Sequence, residues 1–276
     1  MGRGHVEIIH ESDIAFQAVP ARGWPFGARM KVLSRDDEQG SLSGLLSLPA
    51  GYRRGKGFLA CGSEFFVLSG TIRCGDNVRG AGYYEYTPAN ETQEAWAVEE
   101  DCELLVLTSG TADFEPGVGE GELSGRVAVD TVRLPWMRGR VPGPPPGLFS
   151  KVLRHDEQTG ARVFLCGCVP RYDYPLIEYH DCHEEAYQIA GDMRIGTSGL
   201  MSPGSYFWRP PYVTHGPFYS RGGMMALMTV DGPLVNHYVD DPSRTVDDNR
   251  AEALAEGPPR DYFAESKAAD AVRTIA

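Results

Sequence analysis

The sequence predicts an all-β fold: two tandem barrels followed by a short helical tail. Three observations carry this. The first is an internal repeat, in which KVLSRDDEQG at Lys31–Gly40 returns as KVLRHDEQTG at Lys151–Gly160, 120 residues on. The second is the period of the apolar residues, which come in short alternating or continuous runs bounded by Gly, Pro, Asp or Asn, as strands of a sandwich or barrel do. The third is that the clearest helical segment, Asn249–Glu256, sits near the end and runs into Gly257-Pro258-Pro259, a helix-stop signal.

Repeats are the first guide to architecture, and this one spans most of the chain. Pro49 and Tyr52 match Pro170 and Tyr172, Glu64–Gly70 matches Glu185–Gly191 at an offset of 121, and Gly82 and Pro88 match Gly204 and Pro210 at 122. One-residue loop insertions produce such a drift. In the first copy, strands are expected over Gly44–Leu48, Phe65–Leu68, Thr71–Cys74 and Leu104–Thr108; in the second, over Arg162–Cys166, Tyr206–Trp208 and Met224–Val230. Residues 1–120 are read as the first barrel and 126–276 as the second, with Glu115–Gly125, rich in Gly and acidic residues, as the linker. Strands before Val32 could pack on the other half. Four prolines keep Val141–Gly147 out of any central strand, and Asp261–Ala276 is a candidate second tail helix.

With 276 residues, 42% hydrophobic and 10% aromatic, the chain can bury full cores. A formal charge of −12 without a basic run argues against nucleic-acid and anionic-membrane partners, leaving small molecules or proteins. The N-terminal region holds no signal-peptide-like apolar stretch, and no segment approaches the roughly 20 apolar residues that cross a bilayer, so a cytoplasmic location is expected. The six cysteines form no CxxC pair and read as buried free thiols.

Chemistry concentrates in Tyr179–Gly191, YHDCHEEAYQIAG, which holds two of the seven histidines. On a strand, Glu178 and His180 are two apart and share a face; after the turn Asp181–His183, Glu184 shares a face with Ala186 and Gln188. His215 follows in RPPYVTHGP, Arg209–Pro217. Two imidazoles and a carboxylate on one face of a metal leave coordination positions open, as in non-haem Fe(II) sites. The alternative is a hydrogen-bonded polar network without metal. A helical reading would also align His180 with Glu184, but no HExxH motif follows. The repeat supplies a control: the first-copy counterparts of Glu178, His180, Glu184 and His215 are Gly57, Leu59, Ser63 and Gln93, so all four are lost together, as in a disused metal site. Glu185, kept as Glu64, is read as structural.

These residues resemble the two cupin motifs, the first a histidine pair, a glutamate and then glycine, the second Pro-x-Gly, a spacer, then Pro and His. The resemblance covers both copies, so the chain is similar to a bicupin, two double-stranded β-helix (jelly-roll) barrels. It implies His180 as the second histidine, Glu184, seven before Gly191, as the glutamate, and His215 as the histidine of the second motif. Glu178 stands where the family's first histidine usually is, either as an extra ligand or as a general base, and His183 is its rival as ligand. Arg209 and Tyr187 are candidate substrate-facing residues, with salt-bridge or packing roles as the alternative; His237, Cys166 and Cys168 are read as structural.

The expected function is a metal-dependent enzyme acting on a small oxygenated organic molecule, with one divalent metal ion per chain held by the second barrel. Fe(II) is favoured, with Mn, Zn or Ni as other candidates, and a non-haem dioxygenase or oxygenase is the leading reaction type. Tyr187, Tyr206 and Trp208 are expected to wall the cavity. Alternatives are an O₂-independent isomerase, cyclase or lyase, and a non-catalytic small-molecule-binding protein. The first barrel would be a scaffold and, in a homodimer, a contact surface.

Overall fold

The computed structural model describes residues 2–121, 125–138, 146–241, 243–256 and 265–267. Its regular structure is mostly strand, arranged as two tandem cupin-type jelly-roll barrels with one short α-helix after the second. Two compact units divide the chain: Met1–Gly4 with Glu11–Arg133, and His5–His10 with the residues from Leu134 onward.

The first unit is built on a seven-stranded antiparallel sheet in the order Val127–Asp130, Tyr83–Thr87, Ser63–Ser69, Cys102–Thr108, Leu42–Leu48, Arg29–Arg35, Gln17–Ala18. A smaller sheet of Arg53–Arg54, Trp96–Ala97, Thr71–Cys74 and Asn77–Gly80 covers it. Alternation decides the core: Phe65 and Val67, Leu104 and Val106 point between the sheets and meet Ile72, Cys74 and Trp96 from the smaller one. The second unit repeats the plan. Its large sheet runs Val6–His10, Ser205–Arg209, Glu184–Gly191, Met224–Val230, Arg162–Cys168, Leu148–His155, Met137–Arg138, and its small sheet is Tyr172–Tyr174, Phe218–Ser220, Met193–Ile195, Gly199–Met201.

The edge strands carry a topological surprise. Ile9 pairs with Tyr206 and Val129 pairs with Tyr84, and Ile9 and Val129 are 120 apart, so they are repeat counterparts. Each copy therefore hands its first strand to the sheet built from the other copy. This is why the compact units divide at Arg133 rather than within the expected 120–126 interval. Glu115–Gly125 is also less free than a linker: Phe114–Pro116 pairs with Gly57–Leu59, and the amides of Gly117 and Gly121 donate to Lys56 O and Asn90 O at 3.1 and 2.8 Å. Its glycines answer to crowding, since a Cβ on Gly119 would lie 2.0 Å from Asn90 O.

Conserved geometry between the copies explains what the repeat retained. Gly70 and Gly191 both end a central strand at φ of 72° and 73°, and a Cβ there would strike the backbone oxygen of Asp101 or Gly223 at 2.2 or 2.0 Å. Glu185 accepts from Tyr206 Oη at 2.6 Å and from Thr229 Oγ1 at 3.1 Å, and Glu64 accepts from the matching Tyr84 hydroxyl. These carboxylates sit behind the sheet, a structural role in both barrels.

The tail helix spans Val246–Ala255, starting earlier than expected because Thr245 and Asp248 form a capping box. Asn249 Nδ2 donates to Pro217 O at 2.9 Å and fastens the helix to the second barrel. The second tail helix expected at Asp261–Ala276 and most of the Val141–Gly147 loop lie outside the described residues. All six cysteines are buried and free. No helix of the described residues is long and apolar enough to cross a membrane.

Tyr206→Phe should destabilise the second barrel by about 1–3 kcal/mol, because it removes one of two hydroxyl donors to a buried carboxylate. Chemical denaturation monitored by circular dichroism checks this, and an unchanged midpoint would remove Glu185 from the list of structural supports.

Candidate metal centre

The second barrel gathers its candidate ligands with backbone bonds first. Glu178, on the strand Ile177–Tyr179, and His215 form an isolated antiparallel bridge, each amide donating to the other's carbonyl at 2.9 Å. His180 follows Glu178 by two residues, and its carbonyl accepts from Tyr212 N at 2.9 Å, which ties down the loop leading to His215. One carboxylate oxygen of Glu178 and one ring nitrogen each of His180 and His215 then lie within 4.8 Å of one another, all three residues buried. Among the described residues this is the one group of three or more such side chains able to hold a metal ion.

The histidine tautomers follow from their partners. His180 Nδ1 lies 3.1 Å from Val235 O and His215 Nδ1 lies 3.0 Å from Val213 O. A carbonyl oxygen only accepts, so each Nδ1 carries the hydrogen and each Nε2 presents a lone pair to the centre. Glu184 completes the surroundings, with Oε1 3.8 Å from His180 Nε2 and Oε2 3.4 Å from His215 Nε2. Glu184 Oε2 is buried and has no hydrogen-bond donor. A donor set of two imidazole lone pairs, a carboxylate and a second carboxylate with an unsatisfied oxygen fits a divalent cation.

The electrostatics agree. Burial pushes the Glu178 carboxyl up to about 8, with repulsion from Glu184 adding to it and the 2.6 Å hydrogen bond from Asn236 Nδ2 opposing it. Burial lowers His215 to about 4, against the attraction of Glu184. Burial would also raise Glu184, but His215, His180 and Arg209 outweigh it and hold this carboxyl below its ordinary value. A divalent cation held here would offset the repulsion that Glu184 exerts on Glu178.

The remaining sequence candidates fall as follows. Arg209 reaches the site, with Nη1 3.6 Å from Glu184 Oε2, but it is committed elsewhere: Nε and Nη2 donate to both oxygens of Glu7 at 2.9 and 2.5 Å. Although half-burial works the other way, Arg209 holds Glu7 down to about 2. Tyr187 does not join the site. Alternation along Glu184–Gly191 sends it to the face opposite Ala186, in register with Tyr206 and Leu227. For the same reason Phe207, not Tyr206 or Trp208, lines the cavity. His183 is not a rival ligand, since its ring pairs with Asp231 at 3.1 Å, and His237 pairs with Asp181 at 2.6 Å. Asn236 and Glu7 carry no sequence signal; each bears on the site through one residue distant in sequence, Glu178 and Arg209.

The first barrel has the same bridge without the ligands. Gly57 and Gln93 form it, at N···O distances of 3.3 and 2.7 Å. A Cβ on Gly57 would lie 2.2 Å from the Phe114 ring, so no acidic side chain fits there. Gln93 instead donates to Ser63 Oγ at 3.0 Å and accepts from Arg54 Nη2 at 2.7 Å, while the Arg54 guanidinium lies 3.6 Å over the Trp96 ring.

A family model described as "Domain of unknown function (DUF4437)" matches residues 7–237. Solved structures similar to the chain include a presumptive dioxygenase of Nostoc punctiforme, at 20% identity and a TM-score of 0.79, covering 87% of this chain and 92% of that one. They also include an oxalate decarboxylase of Lactobacillus farciminis in a formate complex, at 12% identity and a TM-score of 0.57, covering 92% and 91%. A Bacillus subtilis oxalate decarboxylase variant matches at 13% and 0.57, covering 96% and 88%. At these identities the likeness carries the cupin fold. No curated protein matches in sequence.

The Glu178 shift has a signed consequence. In metal-free protein the native carboxyl keeps its proton up to about 8 while the unfolded one releases it near 4.5, so this group's contribution to stability falls as pH rises through that window. A cation must displace that proton, and Mn(II) affinity should therefore rise about fivefold between pH 7 and 8. Calorimetric titration at the two pH values tests this, with Glu178→Gln expected to bind more weakly and with a flatter pH profile.

Proposed function

We propose, for a chain that belongs to the DUF4437 family, that the second barrel is the active half of a metal-dependent enzyme acting on a small oxygenated organic molecule. The observation that carries this is the convergence of Glu178, His180 and His215 within 4.8 Å, with both imidazole Nε2 lone pairs turned inward. These three residues would hold one divalent ion, with Glu184 beside them. Such an ion supplies Lewis acidity and, if it is iron, redox capacity at positions the protein leaves open. We favour Fe(II) and a dioxygenase-type reaction, a reading the resemblance to a presumptive dioxygenase supports.

The chain's own residues have definite tasks. Val235 O and Val213 O hold the rings in one tautomer. Asn236 orients the Glu178 carboxylate. Glu7 holds Arg209, which places its guanidinium beside Glu184. The cavity walls, which include Phe164, Phe207, Met228 and Leu234, keep bulk water away from the reacting groups. One observation favours a second reading. A carboxyl raised to about 8 suits Glu178 as a general base near neutral pH, which is the equipment of an O₂-independent isomerase or lyase.

Metal analysis of protein purified without added metal should give about one equivalent per chain. His180→Ala and His215→Ala should each abolish it, Gln93→Ala should leave it intact, and Asn236→Ala should weaken affinity about 10–100-fold. Oxygen uptake by Fe(II)-loaded protein, screened with diketones, catechols and hydroxyketones, then separates the two reactions. Turnover that proceeds equally without oxygen replaces the dioxygenase with the isomerase or lyase, and absence of bound metal rejects both.

A further inference from the structure

The second barrel encloses a cavity of about 150 Å³ and the first one of about 20 Å³, although the same set of strands builds both. Register shows where the two cavity faces differ. On the cavity face of the second sheet, Arg162, Val230, Glu184 and Arg209 form one row, and Phe164, Met228, Ala186 and Phe207 form the next. Cys166, Ala226 and Gln188 form the third. The matching second row of the first sheet is Gly44, Val106, Phe65 and Glu85, and the third is Leu46, Leu104 and Val67. Ala186 thus stands where the first barrel has Phe65, and Ala226 where it has Leu104. The two alanines are diagonal neighbours on adjacent strands, so they open one continuous floor. Phe164 against Gly44, Met228 against Val106 and Phe207 against Glu85 are larger in the second barrel, so the opening is local to the floor at the two alanines.

Charge is confined to one end of this cavity. Below the first row the sole polar side chain in these rows besides the thiol of Cys166 is Gln188, whose Nε2 is already spent on Ala190 O at 2.8 Å. In the first row Arg209 is neutralised by Glu7 and faces Glu184. Arg162, half-buried and on the cavity wall, has its backbone two strand spacings from that of Glu184, roughly 10 Å. A compact dianion such as oxalate would bring a second carboxylate to a cluster where Arg209 is already committed to Glu7, leaving Arg162 as the other guanidinium of the row, and it would leave the apolar floor uncovered. An apolar group would instead meet phenylalanine, methionine and alanine.

We infer that the second barrel takes a ligand with a single oxygen-bearing head at Glu178, His180 and His215 and an apolar aryl or branched-alkyl body lying over Ala186 and Ala226, and that these two alanines set the size it accepts. The head rests on the function proposed above; the body rests on the cavity alone.

Two arms of one experiment keep these apart. In metal-free protein, ligand-observed NMR should show toluene binding, weakened about tenfold or more by Ala186→Phe and by Ala226→Leu, which install the first-barrel residues. Failure of the unmodified protein to bind toluene overturns the inference whatever the metal does. In Mn(II)-loaded protein, calorimetry should give 1-phenylbutane-1,3-dione an affinity at least about tenfold above that of oxalate, and Ala186→Phe should erase the difference. Oxalate binding as tightly or more tightly overturns it. Thermal melting and Mn(II) stoichiometry establish that each variant is folded with its ligand cluster intact, and Ala186→Val supplies a milder intrusion, expected to weaken both probes' apolar contribution, should the larger side chain prevent folding. Protein that binds toluene normally but no Mn(II) rejects the catalytic reading while supporting the apolar pocket.

Discussion

Two backbone hydrogen bonds, each 2.9 Å, join Glu178 to His215, and the rest of the second-barrel site depends on them. A set of metal donors must be held to fractions of an ångström, and side chains drawn from distant segments cannot achieve that unless their backbones are fixed first. The bridge fixes them. The carbonyls of Val235 and Val213 then set the two rings, and Asn236 sets the carboxylate. Each of these contacts also satisfies a buried polar group, whose loss costs about 1–3 kcal/mol. The bonds that shape the site are therefore among those that hold the barrel together.

The first barrel shows the same frame put to a different use. Its Gly57–Gln93 bridge survives, but the space beside it holds Phe114 and a buried guanidinium instead of acids and imidazoles. Among the described residues Arg54 forms no salt bridge, though Glu85 acts on it from a distance. The guanidinium leans on Trp96 at 3.6 Å, Phe114 at 4.4 Å and Trp24 at 5.4 Å, with Gln93 as its hydrogen-bond acceptor. Aromatic faces and one amide offset part of the cost of burying that charge. The frame tolerates both fillings because the strands, not the contents, specify the fold.

Much of this was legible in the sequence, for reasons that particular residues make plain. The repeat aligned Gly57 with Glu178 and Gln93 with His215, and the two matching bridges are that alignment in three dimensions. His180 and Glu184 stand out in the sequence because a strand period and a family motif point the same way, and the structure buries both around the same cavity. Tyr187 was placed at the site against the period: if Glu184 and Ala186 face inward, Tyr187 cannot, and Tyr206 and Trp208 yield to Phe207 by the same parity. Glu7 and Asn236 were illegible because each matters through one partner distant in sequence, a contact that no local pattern encodes. The boundary at 120–126 was read from composition, and composition does not register which sheet a strand joins.

That exchange of first strands ties the candidate metal centre to Val6–His10. Val6–His10 is the outer strand beside Ser205–Arg209 and carries the carboxylate that neutralises Arg209. A truncation that removes it would do two kinds of harm at once. It would strip the counter-charge from a fully buried guanidinium, and it would leave the backbone of Ser205–Arg209 as a bare sheet edge, open to pairing with another chain. Changes within Val6–His10 thus bear on the protein's solubility and on its chemistry through the same strand.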